Sequence, residues 1–234
     1  MRNYVLAPLR ELLQLILPES CNACGKALEG DERFFCINCL AMLPLVHDAA
    51  GCDNIAEQRL AGRFHFEAAM SYMLFRHGNA TQRIVHRIKY YGHERLGVFM
   101  GRLMGDTLLA SHRFDTIDCI VPVPLHRRRQ WHRGFNQSWH LAQGIAQVLN
   151  KEVVDDAVAR VAFTETQTHK GREERMDNIR NAFAVVRPER LEGRHILLVD
   201  DVITTGSTIG ECAETILKVA DTKISIASLS ITVG

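Results

Sequence analysis

The segment His195 to Thr208, HILLVDDVITTGST, limits the possible folds of this chain more tightly than any other. Ile196 to Val199 are four consecutive apolar residues, the run expected of a strand buried on both faces. Asp200 and Asp201 stand at the carboxyl end of that strand. The hydroxyl-rich turn Thr204-Thr205-Gly206-Ser207-Thr208 follows, then a helical pattern from Thr208 to about Ala220. Open parallel sheets bind ligands at the carboxyl ends of their strands. A helix N-terminus offers backbone N–H groups and a favourable dipole to a phosphate. Gly206 permits close backbone approach, and the hydroxyls add donors. The paired acids suit a sugar diol or a metal-bound water. One short stretch thus supplies a phosphate cradle beside a diol clamp. A plain structural turn explains it less well, because two consecutive acids at a strand end are costly unless something binds them.

The rest of the pattern places that segment in an α/β fold with a mostly parallel sheet and helices on both faces. Ala68 to Phe75 reads as a strand, and Ala80 to Tyr91 as a helix with Ile84, Val85 and Ile88 on one face and Gly92 after it. A second helix spans about Glu94 to Ser111. Asp118 to Val123 is a short apolar strand, Asn136 to Leu149 a helix, and Val153 to Val161 a weaker strand. Thr164 to Arg180 is polar, a long loop or an exposed helix. Ile224 to Ile231 supplies a final strand. ILLVDD also opens response-regulator receiver domains. There it ends the first strand and roughly 100 residues must follow, whereas this sequence stops at Gly234.

The sequence has 234 residues, 47% of them hydrophobic and 24% charged, enough for one large domain or a core domain with a small appendage. The formal net charge is +1, so any basic surface has to be local. No apolar run approaches the roughly 18 residues of a membrane span. At the N-terminus, Val5, Leu6, Leu9, Leu12, Leu13, Leu15, Ile16 and Leu17 follow a helical pattern interrupted by Arg10, Glu11 and Gln14, unlike a secretory h-region. An amphipathic helix packed on the body of a cytoplasmic protein is the expectation.

Cys21-x2-Cys24 and Cys36-x2-Cys39 form two knuckles with 11 residues between them. Four thiolates at that spacing suit tetrahedral zinc with no open position, a structural site. Redox chemistry is the weaker reading, because two paired knuckles share one short segment. Cys52 falls outside the spacing, and Cys119 and Cys212 sit in a predicted strand and helix as core residues.

VPVPLHRRRQWHRGFNQS, residues 121 to 138, follows a strand and carries Arg127, Arg128, Arg129, His132 and Arg133. A basic cluster at a strand end fits pyrophosphate or a nucleic-acid phosphate; a solvated basic loop is the bland alternative. Asn136, Gln137 and Ser138 are candidate caps for the next helix.

HILLVDDVITTGST resembles the PRPP-binding signature of type I phosphoribosyltransferases, PRPP being 5-phosphoribosyl-1-pyrophosphate. The order VPVP, arginines, RGFNQ, together with the cysteine knuckles, is similar to the ComF (competence-protein, GntX-like) family. TETQTHKGREERMDNIRNAF resembles that family's flexible loop, with Lys170 standing where relatives often have Leu.

The resemblance implies a type I phosphoribosyltransferase fold over residues 66–234 and a helix plus four-cysteine zinc motif over residues 1–47. It assigns Asp200 and Asp201 to the ribose hydroxyls as catalytic acids, and Thr204, Thr205, Gly206, Ser207 and Thr208 to the 5′-phosphate. It gives Val123, Pro124, Arg133, Lys170 and Arg175 to the pyrophosphate and flexible loops. It implies Mg²⁺ carried with PRPP, structural Zn²⁺, and partners that include single-stranded DNA and DNA-uptake or recombination proteins. Lys89 and Tyr90 lie where the family has a Lys-aromatic pair, and a solvated helix face accounts for them equally well. The acceptor, the occurrence of catalysis and the oligomeric state are open at this level. A sensor of PRPP or nucleotide without catalysis is the competing function.

Overall fold

The computed structural model describes residues 19–90, 93–125, 135–161 and 182–233. Five strands form a parallel sheet in the order β1-β7-β6-β2-β3: β1 Ala69–Phe75, β2 Cys119–Pro122, β3 Glu152–Val153, β6 His195–Ile203 and β7 Lys223–Thr232. A separate antiparallel pair joins β4 Val158–Arg160 to β5 Phe183–Val185. The helices are α1 Ile37–Ala41, α2 Ile55–Leu60, α3 Ala80–Tyr90, α4 Glu94–Ser111, α5 Gln137–Leu149 and α6 Ser207–Ile216.

Parallel neighbours need crossover connections, and here the crossovers cover both faces of the sheet. Alternate residues along each strand enter two separate cores. Ile120, Leu197, Val199 and Ala227 meet α4 and α5 through Met100, Met104, Leu141 and Ile145. Val121, Ile196, Leu198 and Ile226 meet α2 and α6 through Leu60, Ile209, Cys212 and Ile216. Each central strand therefore reads as a continuous apolar run, which explains ILLV.

From β2 the chain steps outward through α5 to β3; from β6 it steps the other way through α6 to β7. The strand order reverses between β2 and β6, and such a switch point opens a crevice at the carboxyl ends of the strands.

Helix α5 is held against α4 at backbone contact. A Cβ on Gly101 would lie 2.2 Å from the Leu141 carbonyl oxygen, and one on Gly144 would lie 2.2 Å from that of Val98. Glycine at both positions lets the helices touch and fixes where the first turn of α5 points.

The cysteine-bearing segment packs on the same face. The Phe34 and Phe35 rings lie 5.0 and 6.1 Å from Phe99 of α4, and Cys21, Ala23 and Phe35 are continuous with that core. Among the described residues no helix is long and apolar enough to cross a membrane.

Several elements differ from the sequence reading. Strand β6 continues through both acids to Ile203, because Asp200, Val202 and Ile203 stay in register with β7. Helix α6 stops at Ile216, short of Ala220. The segment before β1 contains α2, capped by Asn54, whose side-chain oxygen accepts from the Ala56 and Glu57 N–H groups.

Candidate functional site

The crevice between β2 and β6 is where the acids come to rest. Asp200 and Asp201 are half-buried near the carboxyl end of β6, beyond the point where β2 ends at Pro122. The Ser138 hydroxyl, from the first turn of α5, donates to Asp200 Oδ1 at 3.1 Å. The Asp201 N–H donates to the same oxygen at 2.8 Å. Lys89 Nζ, at the end of α3, lies 3.0 Å from Asp201 Oδ2. Three elements thus converge on one acid pair.

Burial, with the adjacent Asp201 charge, pushes the Asp200 carboxyl up to about 7; the Asp201 N–H, Lys89 and Ser138 oppose that rise. Asp201 keeps a cation within contact distance. The two neighbouring acids therefore sit in unlike environments, a common mark of a functional site.

The loop from Thr204 to Gly206 turns away from β6 and into α6. Thr204 and Thr205 are exposed, and Ser207 begins the helix. Gly206, the residue before α6, has φ +81°, a left-handed conformation that side chains with a Cβ disfavour. A Cβ there would also lie 2.8 Å from Leu60 Cδ2. The Thr205 and Ser207 hydroxyls are 2.9 Å apart, and the Ser207 N–H points to Thr205 Oγ1 at 3.4 Å. Arg59 of α2 steadies the loop from behind by donating to the Thr204 carbonyl and, at 2.9 Å, to that of Thr232. The result is a turn with N–H groups and hydroxyls at a helix N-terminus, three positions along the chain from a pair of carboxylates. That donor set accepts a phosphate, and the acids accept hydroxyls.

On the opposite bank, Val123 is buried and its N–H donates to the Val199 carbonyl at 2.8 Å. The Asn136 side chain donates to the Val123 carbonyl at 3.1 Å while capping α5 by accepting from the Ser138 N–H at 3.1 Å. Pro124 lines a neighbouring cavity of about 800 Å³, together with Glu94, Phe135, Trp139, His140 and Arg160.

The four knuckle sulfurs lie within 4.8 Å of one another, and Cys24 Sγ and Cys36 Sγ are 3.9 Å apart. Tetrahedral Zn–S bonds of about 2.3 Å put sulfurs about 3.8 Å apart, so the cluster fits zinc. Gly25, with φ +80°, closes the first knuckle by donating from its N–H to the Cys21 carbonyl at 2.9 Å. Cys52 is exposed and outside the cluster. Cys119 and Cys212 are fully buried, and burial holds both thiols above their ordinary value, so they act as packing residues.

The structure therefore gathers Asp200, Asp201, the Thr204–Thr208 turn and Val123 at one crevice, with Pro124 lining the neighbouring cavity. Arg127, Arg128, Arg129, Arg133, Lys170 and Arg175 lie outside the described residues. Lys89, left undecided in the sequence, reaches the acids. Ser138 and Arg59 were missed as site residues. Ser138 was legible only as a helix cap, and nothing near Arg59 in the sequence points to a loop 145 positions away.

A parallel sheet with paired acids and a phosphate-type turn at its switch point defines a phosphoribosyltransferase-type domain. The phosphoribosyl transferase domain family matches residues 136–230, which hold α5, the acid pair and the turn. The chain is 32% identical to the DNA utilization protein YhgH of Escherichia coli K12 over 206 residues, 85% of this chain and 84% of that protein. It is 36% identical to Competence protein F of Haemophilus influenzae over 121 residues, 51% of this chain and 53% of that one. The chain belongs to the ComF family of competence-type proteins, which joins a cysteine motif to a phosphoribosyltransferase domain. Among solved structures, the Bacillus subtilis glutamine PRPP amidotransferase aligns with a TM-score of 0.42 at 14% identity, over 62% of this chain and 30% of that one; at that score the superposition adds nothing to the strand order.

Proposed function

We propose that the protein binds Mg-PRPP and transfers its phosphoribosyl group to a nitrogen acceptor, in service of DNA uptake or DNA processing in the cytoplasm. The observation that carries this reading is the convergence of Ser138 and Lys89 on Asp200 and Asp201 beside the Gly206 turn.

In this reading the backbone N–H groups and hydroxyls of Thr204 to Thr208 hold the 5′-phosphate at the N-terminus of α6. Asp200 and Asp201 accept hydrogen bonds from the ribose hydroxyls and hold the ring as positive charge develops at its anomeric carbon. Lys89 pairs with Asp201 and aims it; Ser138 aims Asp200. Val123 and Pro124 open the pyrophosphate loop, to which Arg133, Lys170 and Arg175 would bring positive charge. Magnesium, when it arrives with PRPP, supplies charge neutralisation on the departing pyrophosphate. The four cysteines hold zinc as a structural ion that fixes the knuckles against α4.

Calorimetry tests the binding step. Wild-type protein should bind Mg-PRPP, and Asp200→Asn combined with Asp201→Asn should abolish binding; unchanged affinity in that variant refutes the assignment. Pyrophosphate release across a panel of bases and amines then separates a transferase from a PRPP sensor. The relatives' names, DNA utilization protein and Competence protein F, favour a second role in handling DNA, for which single-stranded DNA is the form expected from the sequence.

A further inference from the structure

Helix α3 has three faces with three different tasks. Ile84, Val85 and Ile88 are buried in the core. Lys89 reaches Asp201. The remaining face carries Gln82, Arg83, His86 and Arg87, which with His93 line a groove of about 450 Å³. Among the described residues no carboxylate lines this groove.

The first cysteine knuckle forms a support for its two arginines. Arg83 Nε donates to the Ala23 carbonyl, and Arg87 Nη1 donates to Asn22 Oδ1 at 3.2 Å. Asn22 is itself buried and anchored, its side-chain nitrogen donating to the Phe34 carbonyl at 2.7 Å. Each guanidinium has five donors, so one bond to the knuckle fixes its plane and leaves others for a ligand. Arginines fixed in this way lose less freedom on binding an anion than solvated ones would. Burial and the Arg87 charge hold the His93 ring below its ordinary pKa. At i and i+4 the two guanidiniums stand one turn apart along the helix, suited to two successive phosphates. Exposed Arg76 and His77 extend the basic surface into the turn before α3.

From this geometry we infer that the groove lined by α3 and His93, whose arginines the first cysteine knuckle holds, binds the phosphodiester backbone of single-stranded DNA, through Arg83 and Arg87. A basic concave groove of about 450 Å³ has room for the backbone of one strand, the arrangement by which single strands are tracked without base readout. The inference rests on the DNA-handling role proposed above and assigns it a surface apart from Arg127–Arg129. Because α3 also carries Lys89, a strand held here would lie along the element that touches the PRPP acids.

The test uses the full chain, a fluorescent oligothymidine strand and anisotropy titrations at several salt concentrations. Each phosphate contact contributes about 0.7 to the slope of log K against log salt for a single strand. Arg83→Gln with Arg87→Gln should therefore lower that slope by about 1.4. Zinc content and Mg-PRPP affinity should not change. Arg83→Lys with Arg87→Lys should retain most of the slope, since charge is kept. Wild-type slope and affinity in the glutamine variant would overturn the groove assignment and leave the DNA role standing. Equal loss in the lysine and glutamine variants would also overturn it, because charge would then not be the cause. If the wild-type chain binds no strand at all, the DNA role and the groove fall together, while PRPP binding is judged separately by calorimetry.

Discussion

Replacing Asp200 by asparagine should make the folded protein more stable at pH 8 while it removes PRPP binding. Burial and the neighbouring Asp201 charge raise the Asp200 carboxyl from its ordinary 3.8 to about 7. Between about pH 4 and pH 7 the folded chain therefore holds a proton that the unfolded chain has released. The stability this proton contributes is full below about pH 4 and is lost as pH rises to about 7. A shift of that size corresponds to about 4 kcal/mol. Water in the open crevice screens the charge, so we expect about half of it, about 2 kcal/mol, to be measurable. Asparagine carries no charge, and its Oδ1 can still accept from the Ser138 hydroxyl and the Asp201 N–H, as the aspartate does. At pH 8, Asp200→Asn should raise Tm by about 4–8 °C; near pH 4 the two proteins should melt together. Circular dichroism melts from pH 4 to 8 measure this. A variant less stable than wild type at pH 8, or a difference that does not change with pH, would refute the reasoning. The same ionisation predicts that wild-type Mg-PRPP affinity increases as pH rises through about 7, where Asp200 becomes the better acceptor for a ribose hydroxyl.

Gly206→Ala combines a left-handed φ with a Cβ 2.8 Å from Leu60 Cδ2, so urea unfolding should show a loss of about 1–3 kcal/mol and calorimetry a weaker hold on Mg-PRPP. Lys89→Met removes the cation 3.0 Å from a carboxylate that is 14% exposed; it should cost about 1–2 kcal/mol, and unchanged stability and PRPP affinity would show that Lys89 is merely a surface residue. Metal analysis should find one zinc per chain. Its removal by a strong chelator should lower Tm, since the Phe34 and Phe35 contacts with Phe99 depend on the knuckles; an unchanged melt after zinc loss would separate the cluster from the stability of the core.

The strongest local signals were legible from residue order alone. Four apolar residues before two acids can only be comfortable in a strand covered on both sides, and the two cores meeting β6 from opposite faces bear that out. Cysteine spacing specified a tetrahedral set because two short knuckles bring four sulfurs together with little help from the rest of the fold. Long-range convergence was not legible. Strand β6 runs past its acids because β7 supplies hydrogen-bond partners to Ile203, and a local apolar pattern cannot register a neighbour's length. Lys89 and Ser138 reach Asp201 and Asp200 from 112 and 62 positions away. Their places depend on the α3 core face and on glycines that bring α4 and α5 into backbone contact.

The sequence by itself determined which chemical groups this protein offers at the proposed sugar-phosphate site and the four-cysteine cluster, because those groups are contiguous or closely spaced. Only the tertiary structure decided what surrounds them: a lysine for one acid, burial and a hydroxyl for the other, and an arginine pair fixed by a cysteine knuckle. Proximity along the chain is written in residue order, whereas proximity across the chain is set by how strands pair and helices pack.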